Sequence, residues 1–321
     1  MNICAIATGA ITKSMLAEYQ RSEALHVTAI YSRKEETGRA LANQFGIPRV
    51  FTDMEEMLCD PSIDMVYIAS PNSIHYSQTK AALLAGKHVI CEKPFVPTVA
   101  EADELIALAK EKGLMLFEAI TTAHHPHYQY IKENLQKLGK IKIVTANFCQ
   151  FSSRYPALLA GKPAPVLNHT FAGGALMDLN LYNIHFVVGL FGSPKSVRYF
   201  ANRHESGVDT SGILLLEYED FLCQCTAAKD CASRNGIQII GEDGHMEVTP
   251  CGNNCQTVEL SLRGEEPVTV HMPENPWYYE VQNLSRLVAA ADMDSCYKAL
   301  EVTHNVVDVL EKARKYAGFG F

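Results

Sequence analysis

Among its 321 residues the chain has one tryptophan, no C-x-x-C pair, no low-complexity tract, no internal repeat and no block of like charges. Each absence removes a class of function. With no basic stripe and a formal net charge of −8, the chain is a poor match for nucleic acid or an anionic bilayer, and neither is expected as a partner. The apolar amino terminus carries no basic leader and no cleavage site, so it reads as a strand and not as a signal peptide. No apolar run reaches membrane-spanning length, and a cytoplasmic protein is expected. The ten cysteines lie mostly within apolar runs and read as buried free thiols, not as disulfides or metal ligands. What remains is an ordinary globular balance, 47% hydrophobic and 20% charged, in a chain too long for one typical core.

Short β-branched runs alternate with helical patterns over residues 1–119: "NICAIA", "HVTAIYS", "RVF", "DMVYIAS", "KHVIC" and "LMLFEA" are separated by helix-length segments. Strands joined through helices form a parallel sheet with right-handed crossovers. Their apolar character on both sides suits a sheet covered on both faces. After Ala119 the rhythm changes. A helix follows from Pro126, then a long alternating strand "KIKIVTANFCQF", a loop over 152–172, and the helix "GALMDLNLYNIHFVVGLFG". Successive strands between 195 and 271, with no helices between them, predict an antiparallel sheet, and two closing helices are expected near 277–292 and 297–316. The fold class is therefore α/β, with a dinucleotide-binding domain over 1–119 and an α+β domain over 120–321 for substrate binding and oligomerisation.

Chemistry concentrates where strands end. The first βα turn, Ala7-Thr8-Gly9-Ala10-Ile11-Thr12, keeps only the middle glycine of a G-x-G-x-x-G/A fingerprint, the one that lets backbone N–H groups approach a pyrophosphate. Thr8, Gly9, Ala10 and Ile11 are the candidate pyrophosphate residues. Some twenty residues on, where a ribose-selecting acid belongs in an NAD site, stand Ser32, Arg33 and Lys34. A hydroxyl beside cations suits a 2′-phosphate, so NADP is favoured, with NAD the alternative. Ala69-Ser70-Pro71-Asn72 leaves the next strand, with Asn72 or Ser73 expected to cap the following helix and His75 at the same edge. Glu92-Lys93-Pro94 ends another. A lysine there can hydrogen-bond a substrate oxygen while hydride moves, and the proline restricts where it points.

The stretch "VYIASPNSIHYSQTKAALLAGKHVICEKPF", the "FEA" after the sixth strand and "FAGGALMDLNLYNIHFVVGLFG" together resemble the glucose–fructose oxidoreductase/inositol dehydrogenase (Gfo/Idh/MocA) family over essentially the whole chain. The resemblance implies an amino-terminal Rossmann domain binding NAD or NADP, and a carboxyl-terminal domain with a large, predominantly antiparallel sheet. It implies oxidation or reduction of a carbon–oxygen bond in a sugar, polyol or diol. It places the catalytic lysine at Lys93, nicotinamide- and ribose-side residues at Asn72, His75, Glu92 and Pro94, and the Asp and Tyr facing the nicotinamide at Asp178 and Tyr182. An i, i+4 pair on a helix shares one face, in line with that role, and His185 follows three residues on as a third acid/base candidate. A homodimer or homotetramer through the second sheet is implied as well. The sequence departs from the family at Ala7 and Thr12, and after "FEA", where Thr121 and Ala123 stand in place of the Trp and Arg of the diol dehydrogenases and His124, His125 and His127 follow. Those histidines are expected to line a substrate pocket, not to bind metal. Trp277 is expected in the core or a subunit contact. The eroded glycine turn leaves a second reading open, a dinucleotide-binding sensor or regulator without chemistry.

Overall fold

The computed structural model describes residues 1–319. The chain divides into two compact units, one of Met1–Ala119 with Trp277–His304, the other of Ile120–Pro276 with the chain from Asn305. Residues 277–304 belong with the first unit, after an intervening second unit. The physical reason is apolar: Val281, Leu284, Leu287 and Val288 from one closing helix and Cys296 from the other share a core with Ile3, Ile30, Tyr67 and Phe117, and Trp277 packs against it.

In the first unit, β1 (Asn2–Ile6), α1 (Ala10–Tyr19), β2 (His26–Tyr31), α2 (Glu35–Phe45), β3 (Arg49–Phe51), α3 (Met54–Cys59), β4 (Met65–Ile68), α4 (His75–Leu84), β5 (His88–Glu92), α5 (Val99–Lys112) and β6 (Leu116–Ala119) alternate as expected. The six strands are parallel in the order β3-β2-β1-β4-β5-β6, which puts the topological switch point between β1 and β4. Every residue of β4 is buried, as a sheet covered on both faces requires. Local sequence sets helix ends. Thr98 and Glu101 form a reciprocal capping box at the start of α5, and Gly113, at φ 65°, closes it in the left-handed conformation that glycine tolerates best. The α4 boundary differs from expectation. Asn72–Ile74 make a 3₁₀ turn, and neither that turn nor α4 has a side-chain cap.

The second unit contains α6 (Pro126–Asn134), β7 (Ile141–Cys149), α7 (Tyr155–Leu159), α8 (Leu181–Phe191), β8 (Ser196–Arg203), β9 (Asp209–Glu217), β10 (Leu222–Ala228), β11 (Gly236–Gly241), β12 (Gly244–Cys251), β13 (Asn254–Leu262) and β14 (Val268–His271). The closing helices are α9 (Pro276–Ala289) and α10 (Met293–Ala317). The eight strands run β14-β13-β12-β11-β7-β10-β9-β8, antiparallel except for the central β7–β10 pair. Parallel neighbours need a long crossover, and the segment through α8, β8 and β9 provides it. Strand β9 shows the layering plainly: Leu214 and Leu216 face the core, while Ile213 and Leu215 face outward. The helical stretch His169–Phe191 is long and apolar enough to cross a membrane by length and composition, yet 72% of it is buried as core. Asn180 and Asn183 fasten it by donating to the carbonyls of Cys225 and Thr226 on β10.

Candidate active site

In the first unit the candidate cofactor residues fall at the carboxyl ends of β1, β2, β4 and β5, one edge of one sheet. Gly9 precedes α1 in extended backbone, φ −75°, which any residue adopts. A Cβ added there would meet nothing within 4 Å, so neither conformation nor protein packing calls for glycine. Room for a ligand backbone-to-backbone does. Thr8, Ala10 and Ile11 flank it, and no acid occupies the first turn of α1, leaving the N-terminal partial positive charge for an anion. Ala7 stands where the fingerprint has its first glycine, yet keeps φ 116°, a conformation glycine prefers. The glycine is gone and its backbone remains. Thr12, at the last fingerprint position, is fully buried against the sheet. These residues fit a dinucleotide pyrophosphate.

The other candidate residues of that edge divide. Ser32 is buried and spends its hydroxyl on the local turn, donating to the Lys34 carbonyl at 2.9 Å and sharing a hydrogen bond with Thr37 at 2.8 Å. Arg33 and Lys34 beside it are both exposed. Ser70 donates to Gln78 at 2.6 Å. His75 is fully buried, with Nδ1 2.9 Å from the Pro94 carbonyl and Nε2 2.9 Å from the Ser70 carbonyl. Burial lowers its pKa despite both carbonyls. Its visible work is to brace the Ala69–Asn72 turn against the Glu92–Pro94 turn. Lys93 is half-buried in a turn with a cis Lys93–Pro94 peptide. Glu92 is buried and accepts from Tyr67 at 2.6 Å, and burial pushes its carboxyl up to about 7.

In the second unit Asp178, Tyr182 and His185 lie along one helix, but its opening is not α-helical. Leu176–Asn180 form a π-helical turn ahead of α8, a feature found mostly at functional sites. The i, i+4 rule for a shared face therefore does not carry over unchanged to Asp178 and Tyr182. Asp178 ion-pairs with the ammonium of Lys229, which is 6% exposed. Tyr182, half-buried, packs its ring on Phe148 at 5.9 Å, and His185 is buried. The π turn is held from outside: Asp209 accepts from the Leu176 N–H and from the Tyr199 hydroxyl, both at 2.7 Å. Gly174 makes room for it. Its φ is +118°, and a Cβ there would collide with the Asp209 carboxylate.

Of the three histidines after β6, two hold backbone. His125 Nε2 meets the Asn253 carbonyl at 3.2 Å, and His127 Nε2 meets that of Val270 at 3.1 Å. Burial, then His125 and His185, bring the pKa of His124 down to about 3, so it is a neutral imidazole at ordinary pH. Among the described residues no group of His, Cys, Asp or Glu is arranged to hold a metal, and all ten cysteines are free. Sequence reasoning missed Lys229 and Asp209. Asp209 opens β9 and Lys229 follows the end of β10, both far along the chain, and nothing local marks them.

A six-stranded parallel sheet in this order, with an open glycine turn at its switch point and a large antiparallel sheet in a second unit, defines a nucleotide-binding oxidoreductase scaffold. Comparison with known proteins agrees. Residues 1–120 match the oxidoreductase family with NAD-binding Rossmann fold, and residues 128–247 match the GFO/IDH/MocA C-terminal domain. The chain is 36% identical over 318 residues to the uncharacterized oxidoreductase YgjR of Escherichia coli, covering 98% of this chain and 96% of that protein. It is 33% identical over 315 residues, with the same coverage, to the scyllo-inositol 2-dehydrogenase (NADP(+)) IolU of Bacillus subtilis. Among solved structures, a 3-ketoreductase from Actinomadura kijaniata in complex with NADP and TDP-benzene shares the fold with a TM-score of 0.87 at 21% identity, over 98% of this chain and 97% of that one. The chain belongs to the Gfo/Idh/MocA family and is an NAD(P)-dependent oxidoreductase.

Proposed function

We propose that the protein transfers a hydride between a nicotinamide, NADP in preference to NAD, and a carbinol or carbonyl carbon of a neutral polyol, sugar or diol. The observation that carries this reading is Lys93 at the carboxyl end of β5, on the same sheet edge as the open Gly9 turn. The 2-dehydrogenase relative acts on an inositol with NADP, which supports the substrate class. Arg33 and Lys34, both exposed at the end of β2 where an NAD site wants an acid, support the phosphorylated cofactor.

When bound, the nicotinamide supplies the hydride acceptor or donor at C4. In the oxidative direction the substrate hydroxyl would lose its proton to a protein base. Tyr182 in the second unit would take or give that proton, and the Lys93 ammonium in the first would stabilise alkoxide character on the substrate oxygen. Lys93 as the acid/base is the opposite assignment, and His185 a third. Asp178, oriented by Lys229, hydrogen-bonds substrate hydroxyls. Thr8, Gly9, Ala10, Ile11 and the turns at Ala69–Asn72 and Glu92 bind the nucleotide. A cytoplasmic location and self-association through the second sheet belong to this reading.

Replacing Lys93 by Met or Tyr182 by Phe tests it. Turnover of scyllo-inositol or another polyol with NADP, followed at the nicotinamide absorbance, is expected to fall at least 100-fold in either variant, with NADPH binding retained. Full turnover in Lys93→Met would end this reading. Binding of NADPH by the wild type, with no polyol, sugar or diol oxidised and no carbonyl reduced, would favour the sensor.

A further inference from the structure

Behind the Glu92–Pro94 turn the first unit buries three carboxyl groups. Glu92, Glu118 and Glu280 are 8%, 6% and 1% exposed, and they come from β5, β6 and α9. Their hydrogen bonds differ in kind. Glu118 accepts at both oxygens, from the Phe95 N–H at 3.1 Å and the Thr303 hydroxyl at 2.9 Å. Glu280 Oε1 meets no donor, which suits the neutral acid. Glu92 lies between these extremes, with the Tyr67 hydroxyl donating to Oε1. Tyr19, edge-on to Tyr67 at 5.6 Å, closes the cluster from α1, and its hydroxyl has no partner. Lys93 is the cation acting on Glu92, and His75 on α4 is the further titratable group facing Glu118.

Carboxyl groups that share a low-dielectric interior do not all ionise, and burial together with the neighbouring carboxyls raises both Glu92 and Glu280. The member that changes state most easily is the one nearest Lys93. We propose that Glu92 exchanges a proton with solvent when the charge of a bound nicotinamide changes, releasing it to buffer when the oxidised ring binds and keeping it when the reduced ring binds. The inference rests on the reading above, in which the ring lies at the carboxyl end of β5. Oxidised nicotinamide carries one positive charge and the reduced ring none, so only the former favours the Glu92 anion. Burial, opposed by Tyr67 and Lys93, sets the Glu92 carboxyl to titrate at about 7, where such a charge has the greatest effect. Glu280 is raised further, by burial and then by Glu92 and Glu118, and stays the neutral acid that lets Glu92 ionise alone.

The test is proton release on binding, read by calorimetric titration of the full-length protein with NADP⁺ and with NADPH in buffers of different ionisation enthalpy. The 2′-phosphate contributes equally to both nucleotides and cancels in the difference. At pH 7 the wild type is expected to release up to about half a proton more with NADP⁺ than with NADPH, the excess shrinking toward pH 5 and pH 9. Glu92→Gln, titrated to saturation so that the proton count is per bound nucleotide whatever the affinity, is expected to abolish the excess. Tyr67→Phe removes a donor that favours the anion, so the pH of greatest release rises by about one unit. Equal proton counts for the two nucleotides across that range, or a wild-type excess in a nucleotide-binding Glu92→Gln, would overturn the proposal. Failure of the wild type to bind either nucleotide would instead overturn the cofactor reading, and this inference with it.

Discussion

Asp178→Asn offers a sharp test of how the second unit builds its site. The Lys229 side chain is 6% exposed and that of Asp178 23%, so this is a buried pair and not a surface bridge. Removing one partner of a buried pair costs about 3–5 kcal/mol, mainly because the remaining charge is left desolvated. Asparagine keeps the shape and one acceptor oxygen, and the carboxylate it replaces is not fully desolvated. A loss of about 3 kcal/mol is therefore expected, and at about 2–4 °C per kcal/mol for a unit of this size the melting temperature falls by about 6–12 °C. Lys229→Met added to Asp178→Asn removes the stranded ammonium and is expected to recover at least about 1 kcal/mol, so the double variant melts above Asp178→Asn. Scanning calorimetry at pH 7.5 on the wild type, both single variants and the double variant completes the cycle. If Asp178→Asn melts within 2 °C of wild type, or if the two substitutions simply add, the pair does not hold Asp178 in place and the reasoning fails.

Three further outcomes are expected. Gly9→Ala should leave the melting temperature of the nucleotide-free protein within about 1 °C, since a Cβ there meets nothing, yet weaken NADPH binding at least tenfold, or about 1.4 kcal/mol, by fluorescence titration. His125 is buried with its pKa brought down to about 4, below the ordinary 6.5, so the folded state holds fewer protons than the unfolded one between those values. Its contribution is full above pH 6.5 and is lost as pH falls, by about 2 kcal/mol at pH 5; His125→Gln should flatten this part of the stability–pH curve in urea titrations at pH 7.5 and pH 5. On the outward face of the second sheet Phe200 pairs with Ile213 and Leu222 with Ile143, all between 42% and 63% exposed. If copies of the chain associate through this face, Ile213→Glu with Leu222→Lys converts the wild-type oligomer to monomer in light scattering; an unchanged mass excludes this face.

Much of the first unit could be read from the chain alone, because its signals are local. Each strand is a short apolar run, each helix carries its own ends, and β/α alternation dictates a parallel sheet once crossovers are right-handed. Gly9, Lys93, Asp178 and Tyr182 are candidates for the same reason, standing at strand tips or within short motifs. Tertiary structure alone decided the rest, since the deciding contacts join residues far apart in sequence. Periodicity cannot announce that β7 and β10 pair in parallel, that α9 returns to the first unit, or that Asp209 pins a π turn into the helix bearing Asp178. Nor can spacing show that Lys229, 51 residues beyond Asp178, supplies its counter-charge. Local propensity writes elements into a sequence; the charge state and direction of a side chain depend on which distant atoms exclude water from it.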